Sequence, residues 1–220
     1  MTIRSFVRRS GRITTAQQRA LTHLWDKYSL DTERLLDLNS LFGRPAEKHL
    51  EIGFGMGETL LNMAQTHPEQ DYLGIDVYLP GIGRVLMQIE KYALTNVRIC
   101  CADAVKVLQQ CLPDQSLDTI YIFFPDPWPK KRHQKRRLIQ QPFVSSLAQS
   151  LKQEGFLYLA TDWQDYAQQM LTVLEEHPLF NNYAGKGCFA NRPEERPLTK
   201  FERRGQKLGH PVWDLLYQRV

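Results

Sequence analysis

Three carboxylates stand at or beside the ends of apolar segments that are typical of buried strands. Glu51 lies near the end of KHLEIG, Asp76 ends DYLGID, and Asp103 follows VRICC. The carboxyl ends of parallel strands meet at one edge of a sheet, and ligands bind in the crevice outside that edge. We therefore expect these acids to lie together, where they could bind ribose hydroxyl groups or a cationic ligand.

A glycine-rich turn, GFGMG at 53–57, follows the first of these segments. Glycine allows a sharp turn and a close approach of ligand to backbone, so Gly53 and Gly55 are predicted cofactor contacts. A nicotinamide dinucleotide and S-adenosylmethionine would both use such a turn. The third glycine follows the second by two residues rather than three, and Glu58 then stands where a dinucleotide seats its pyrophosphate. The residues thus favour S-adenosylmethionine, with its ammonium and sulfonium groups; a nicotinamide-dependent oxidoreductase is the alternative.

A fourth apolar segment, IYIFF, leads into PDPWP at 125–129. Prolines at alternate positions fix their own φ angles and keep the preceding residues extended, so Asp126 is predicted to sit on a stiff, non-helical arm. An acid held rigidly beside a methyl donor, with KKRHQKRR directly behind it, favours methylation of a base in a nucleic acid.

The positive charge is concentrated in two segments, although the net charge is only +4. Residues 1–12 carry four arginines and no acid, and residues 130–137 carry six lysines and arginines and no acid. Without these ten side chains, 18 basic residues remain against 24 acidic ones. Such segregation is typical of a protein that binds a polyanion, whereas a solvated surface mixes the two signs.

These residues are positioned by an alternation of strands and helices after Pro45. Further strands are predicted at 117–124 and 155–161, and helices at 80–93, 139–151 and 163–174. Apolar strands that alternate with amphipathic helices indicate an α/β fold, a doubly wound and mostly parallel sheet. The C-terminal VWDLLYQRV is predicted to add an antiparallel edge strand. Residues 1–45 form a basic arm with a helix, and residues 46–220 form the main domain.

The composition excludes several classes of protein. The 220 residues are 42% hydrophobic and 24% charged, which suits one compact domain and excludes disordered and collagen-like chains. No apolar run reaches the roughly 18 residues of a membrane span. The four cysteines have no metal-ligand spacing and indicate a reducing compartment. We expect a cytoplasmic protein without metal.

The sequence resembles the bacterial tRNA (guanine-N7-)-methyltransferase family. The resemblance rests on EIGFGMGETL, FFPDPWPKKRHQKRR, Thr161-Asp162 and the late TKFE at 199–202, and it extends over the whole chain. It implies a class I S-adenosylmethionine-dependent methyltransferase with a Rossmann-like sheet. Members methylate N7 of the variable-loop guanine, position 46, of tRNA. Asp76 departs from the family pattern, which more often has Glu, and Ala102 is a minor departure.

The resemblance also implies roles for individual residues. Asp126 would be catalytic. The cofactor would contact Glu51, Asp76, Asp103 and Asp126. The substrate would contact Lys130, Asp162, Thr199, Lys200, Phe201 and Glu202. The RNA would lie along Arg132, His133, Gln134, Lys135, Arg136 and Arg137.

The residues leave several alternatives open. Asp162 could instead cap the helix that follows it. The protein could methylate a different RNA base, or bind RNA without catalysis. Whether it is a monomer or a homodimer is not predicted.

Overall fold

The computed structural model describes residue 6, residues 11–193, residue 202 and residues 211–220. Within these residues, one sheet contains seven strands. They are β1 (Lys48–Ile52), β2 (Asp71–Asp76), β3 (Val97–Cys101), β4 (Leu117–Phe123), β5 (Leu151–Thr161), β6 (Phe180–Asn182) and β7 (Trp213–Arg219).

The strand order is β3-β2-β1-β4-β5-β7-β6. Strands β1 to β5 pair in parallel, and β7 is antiparallel to both β5 and β6. The chain runs outward from β1 to β3 and then returns to place β4 on the other side of β1. The carboxyl ends of β1 and β4 therefore flank the point where the strand order reverses, which is where ligands bind in open α/β sheets.

Helices cover both faces of the sheet. They are α1 (Thr15–His23), α2 (Trp25–Tyr28), α3 (Leu38–Phe42), α4 (Glu58–Thr66), α5 (Leu79–Lys91), α6 (Ala104–Gln110), α7 (Gln141–Ser150) and α8 (Gln164–Glu175), with a 3₁₀ helix at Lys131–Arg136. One apolar core includes buried residues of α6, α7 and α8, and the other includes residues of α1, α4 and α5. Because successive side chains of a strand point to opposite faces, Leu73 joins the first core and Tyr72 the second.

The N-terminal helix is tied to the helix that borders the glycine turn. Thr14 and Gln17 form a capping box at the start of α1, with Gln17 Oε1 accepting the Thr14 N–H at 2.8 Å. Gln17 Nε2 also donates to the carbonyl of Pro80 at 3.0 Å. In addition, Gly83 of α5 leaves room for the backbone of Gln17. The domain boundary near residue 45 stays a prediction.

The predicted doubly wound, mostly parallel α/β sheet is confirmed, with its antiparallel C-terminal strand. Helices α5, α7 and α8 lie within two residues of their predicted bounds, and the described part of residues 1–45 contains three helices rather than one. The strands differ from the sequence prediction in two details. Strand β5 begins at Leu151 rather than 155, and the short strand β6 pairs with β7 on its outer side. Strand β6 has only three residues, too few for an alternation pattern to be recognised. No helix in the described part of the chain has the length and apolar character needed to cross a bilayer.

Candidate active site

The buried carboxylate at the centre of the crevice belongs to Glu51. It lies on β1 beside Gly74 of β2 and Tyr121 of β4, and it is 4% exposed. The backbone N–H of Leu60, in the first turn of α4, donates to this carboxylate. Among the described residues, its Oε2 atom has no hydrogen-bond partner. Burial raises the pKa of Glu51 to about 8, and the negative charge of Asp76 contributes to this increase.

Asp76 holds the glycine turn in place. Its Oδ2 accepts the N–H of Gly55 at 2.6 Å, and its Oδ1 accepts the N–H groups of Val77 at 2.6 Å and Tyr78 at 2.8 Å. Burial raises the pKa of Asp76, these three hydrogen bonds oppose the increase, and the charge of Asp126 adds to it. Asp76 was expected as a ligand-binding acid; in this structure its carboxylate also determines the shape of the turn.

The glycine turn is open on one side and closed on the other. Gly53 has φ +78°, and a Cβ atom there would meet no described atom within 4 Å; the same space is open at Gly55. Gly81, in the first turn of α5, packs so closely on this turn that a Cβ atom would lie 1.8 Å from the carbonyl oxygen of Gly55. The turn is therefore fixed by α5 and leaves its open side for a ligand.

Asp126 lies on the arm that follows β4, at the carboxyl edge of the sheet. Its charge raises the pKa of Asp76, which places the two carboxylates within electrostatic reach of each other. The residue is half-buried. Phe124 with φ +51° and Trp128 with φ +44° stand two residues before and after it. Both precede prolines and were expected to be extended, so that part of the prediction is wrong: these two bulky residues adopt the left-handed backbone conformation. Such conformations cost about 1–3 kcal/mol each and persist where neighbouring contacts enforce them.

These observations provide a test of the predicted cofactor. Glu51 offers a buried carboxylate oxygen without a partner, and Gly53 and Gly55 leave open space beside it. Asp76 and Asp126 add negative charge at the same place. A crevice of this kind fits a ligand that carries positive charge, and it does not suit a pyrophosphate. These carboxylates and the open glycine turn therefore fit S-adenosylmethionine.

The basic segment divides into an exposed and an internal part. Arg132 and Lys135 are exposed, and the guanidinium of Arg136 lies 3.8 Å from the centroid of the Trp128 ring. His133 packs edge-on against the same ring, and its pKa is lowered by desolvation and by the cations around it. Gln134 donates to the exposed carboxylate of Asp165 at 3.1 Å.

Arg137 differs from the other predicted RNA contacts in its burial. The residue is 3% exposed, and its guanidinium is directed into the protein, where it bonds to Pro127, Gln169 and Asp165. It could reach a phosphate only by breaking these contacts. The uniform charge of KKRHQKRR gives no indication of this inward orientation.

Two further predicted acids are at strand ends, as expected. Asp103 follows β3, and its Oδ1 accepts the N–H of Val105 at 3.0 Å, which caps α6. Asp162 follows β5 and does not cap α8, because the N-cap residue is Trp163, whose N–H bonds to Thr161 Oγ1 at 3.2 Å. The capping alternative for Asp162 is therefore wrong, and its carboxylate is left for another role.

The remaining predicted substrate contacts are only partly described. Lys130 is exposed at the start of the 3₁₀ helix. Glu202 is 2% exposed, and its Oε1 lies 3.8 Å from Nε of Arg192. Thr199, Lys200 and Phe201 lie outside the described residues. No group of His, Cys, Asp and Glu in the described ranges could hold a metal ion.

One contact of the turn was not predicted from the sequence. Arg84 Nη1 donates to the carbonyl of Met56 at 2.6 Å and lies 4.0 Å from Glu58 Oε1. Arg84 thereby links α5 to the glycine turn. The sequence places Arg84 on the face of α5 opposite the apolar residues, which indicates an exposed side chain. It does not indicate which group the side chain contacts.

Comparison with known proteins gives consistent results. The family model described as "Putative methyltransferase" matches residues 45–215. The tRNA (guanine-N(7)-)-methyltransferase of Sodalis glossinidius is 51% identical over 219 residues, which are 99% of this chain and 92% of that protein. The protein of the same name from Alkalilimnicola ehrlichii is 55% identical over 220 residues, again 99% and 92% of the two chains.

Among solved structures, the crystal structure of the 16S rRNA methyltransferase KamB is similar to this one. The TM-score is 0.62 at 14% sequence identity, and the match covers 85% of this chain and 95% of that chain. At this identity the similarity concerns the fold alone, and it agrees with the sheet order described above.

Proposed function

The chain belongs to the tRNA (guanine-N7-)-methyltransferase family, and from this premise we propose that it methylates N7 of the variable-loop guanine, position 46, of tRNA. S-adenosylmethionine supplies an electrophilic methyl group, which is carried on a sulfonium. The product is 7-methylguanosine in tRNA. The observation that carries the proposal is the buried Glu51 carboxylate, whose Oε2 has no hydrogen-bond partner among the described residues, beside the open side of the glycine turn that Asp76 holds in place.

We assign the cofactor to the open side of the glycine turn. Gly53 and Gly55 allow the cofactor to lie close to the backbone, and Glu51 and Asp76 offset its positive charge. Asp103, which follows the neighbouring strand β3, is the third acid that we assign to the cofactor. Because the negative charge is held in a low-dielectric crevice, it interacts more strongly with a cation than it would in water.

The chemistry at the guanine needs no general base. N7 has a lone pair in the plane of the ring and no proton to remove. The protein must therefore orient the ring and offset the positive charge that develops on the purine. Asp126 can do both, because its carboxylate can accept the N1–H and the exocyclic amine of guanine. Asp162, at the end of β5, is the second acid that can contact the base.

We assign the polyanion to the exposed part of the basic segment. Arg132 and Lys135 stand on the 3₁₀ helix directly behind the arm that carries Asp126. Phosphates held there would place a nucleotide over the crevice. Arg136, stacked on Trp128, connects this surface to the arm.

The experiment is methyl transfer from labelled S-adenosylmethionine to tRNA that lacks 7-methylguanosine. Nucleoside analysis should find the label in 7-methylguanosine, and a tRNA with adenine in place of the guanine at position 46 should receive none. Label in another nucleoside would support the alternative RNA methyltransferase. Absence of transfer, together with stabilisation by a nicotinamide cofactor, would refute the proposal.

A further inference from the structure

The last residue of the basic segment connects the arm that carries Asp126 to helix α8. Arg137 Nε donates to the carbonyl of Pro127 at 2.8 Å, and Nη1 donates to Gln169 Oε1 at 2.6 Å. Nη2 donates to the carboxylate of Asp165. The guanidinium also lies 4.9 Å from the centroid of the Tyr166 ring. Each of the three nitrogens of the Arg137 guanidinium, which we call the fork, thus has its own acceptor.

The contact with Pro127 reaches the part of the arm that needs support. Pro127 is the residue after Asp126, and the next residue, Trp128, has φ +44°. A bulky residue in this conformation is costly, so an external contact must hold the arm there. The hydrogen bond from Arg137 fixes the orientation of the peptide group between Pro127 and Trp128. It therefore supports the arm backbone on the C-terminal side of Asp126.

The other contacts reach the helix that follows Asp162. Asp165, Tyr166 and Gln169 all belong to the first two turns of α8. Strand β5 ends at Thr161, so Asp162 and Trp163 are the link between the strand and this helix. Gln169 Nε2 and the Tyr166 hydroxyl also bond to the backbone of Ile139, which anchors the segment just beyond Arg137. One side chain thus connects the neighbourhoods of two acids at the crevice.

We propose that Arg137 is a positioning residue that holds Asp126 and Asp162 in a fixed arrangement around the guanine, and that it is not a phosphate ligand. The inference rests on the function proposed above. It explains why one cation of a basic run is buried: a buried charge is stable where it is paired and hydrogen-bonded, and Asp165 provides that pair. It also divides the run by role, since Arg132 and Lys135 remain on the surface.

The chemistry of the fork makes the proposal testable with a conservative change. Lysine keeps the positive charge and can bind a phosphate, but its single ammonium cannot reach three acceptors that lie in different directions. If Arg137 positions the arm, Arg137→Lys should lower kcat by about 10- to 100-fold, which is the effect expected of a displacement near 1 Å. The Kd for tRNA and its salt dependence should change less than about twofold, because no phosphate contact is lost.

A second variant keeps the test informative if Arg137→Lys does not fold. Gln169→Ala removes one acceptor of the fork and should lower kcat in the same direction with an unchanged Kd for tRNA. Gln168→Ala is the matched control, because Gln168 is the same residue type one position earlier on α8 and is exposed. Hydrogen exchange of a peptide spanning residues 123–139 adds a readout that does not depend on activity, and it should be faster in both fork variants.

The outcomes separate the two proposals. If the wild-type protein forms 7-methylguanosine while Arg137→Lys and Gln169→Ala retain its kcat and its hydrogen exchange, the positioning role is refuted and the function stands. A weaker tRNA complex of Arg137→Lys with an unchanged kcat would instead make the residue a phosphate ligand, one whose two-pronged contact a lysine cannot replace. If the wild-type protein forms no 7-methylguanosine, the proposed function fails, and the exchange measurement still decides whether Arg137 holds the arm.

Discussion

Replacing Glu51 by glutamine should reduce the sensitivity of the ligand-free protein to alkaline pH. Burial raises the pKa of Glu51 from an ordinary value of 4.5 to about 8, and the charge of Asp76 contributes. Folding thus raises the pKa, so the folded protein retains a proton that the unfolded chain releases. The carboxyl group therefore contributes stability that is fully present below the ordinary pKa and is lost as the pH rises through the folded one.

The size of the effect follows from the separation of the two pKa values. Between them, each pH unit removes about 1.4 kcal/mol from the free energy of unfolding. From about pH 5 to about pH 9 the loss attributable to Glu51 is about 4 kcal/mol. Glutamine has nearly the same shape and does not ionise, so Glu51→Gln should lack this loss.

The assay is urea unfolding of both proteins at the two ends of this pH range, followed by tryptophan fluorescence. Glu69→Gln is the control, because the Glu69 side chain is 65% exposed and its removal should leave the wild-type pH dependence unchanged. Saturating S-adenosylmethionine should reduce the alkaline loss of the wild-type protein, because a bound cation stabilises the ionised carboxylate. Parallel pH profiles of wild type and Glu51→Gln would refute the reasoning.

Three further predictions concern the arm, the turn and the basic segment. Asp126→Ala should lower kcat/KM by the equivalent of about 2–4 kcal/mol, measured from initial rates of methyl transfer, because one preorganised charge is lost. Gly81→Ala should cost about 1–3 kcal/mol of stability in urea unfolding and weaken cofactor binding in calorimetry, because its Cβ would displace α5 from the Gly55 carbonyl. Lys135→Ala should reduce the slope of log Kd for tRNA against log salt concentration by about 0.7–0.9, because one phosphate contact is lost. Lys152→Ala should leave this slope unchanged, because Lys152 lies at the amino-terminal end of β5, away from the basic segment.

Each of these predictions has an opposing result. Near-normal turnover of Asp126→Ala would exclude that residue from the catalytic role. An unchanged cofactor affinity in Gly81→Ala would mean that the turn does not need α5 to hold its shape. Equal salt dependences for the Lys135 and Lys152 variants would show that the exposed basic segment is merely solvated.

The sequence was sufficient for the arrangement of the acids, for a physical reason. Parallel strands that alternate with helices place all their carboxyl ends at one edge, so Glu51 and Asp76 had to be neighbours once the strands were recognised. The prolines on both sides of Asp126 likewise keep the arm non-helical, but the expectation that they keep the preceding residues extended was wrong at Phe124 and Trp128, which have positive φ angles. Local sequence therefore determined which strand ends carry acids and which segment carries Asp126.

Tertiary packing decided the roles of individual side chains, because these depend on partners that are distant in sequence. Nothing in KKRHQKRR distinguishes Arg137 from Arg136, and only the position of α8 places one inside the protein and leaves the other stacked on a tryptophan. Asp76 was expected at the crevice, but its hydrogen bond to Gly55 exists because the turn folds back over the end of β2. The pKa of Glu51 similarly reflects how completely the sheet and α4 exclude water from one carboxylate. The sequence by itself determined the fold and the chemistry available at its edge, whereas burial and distant contacts determined which groups are free to perform it.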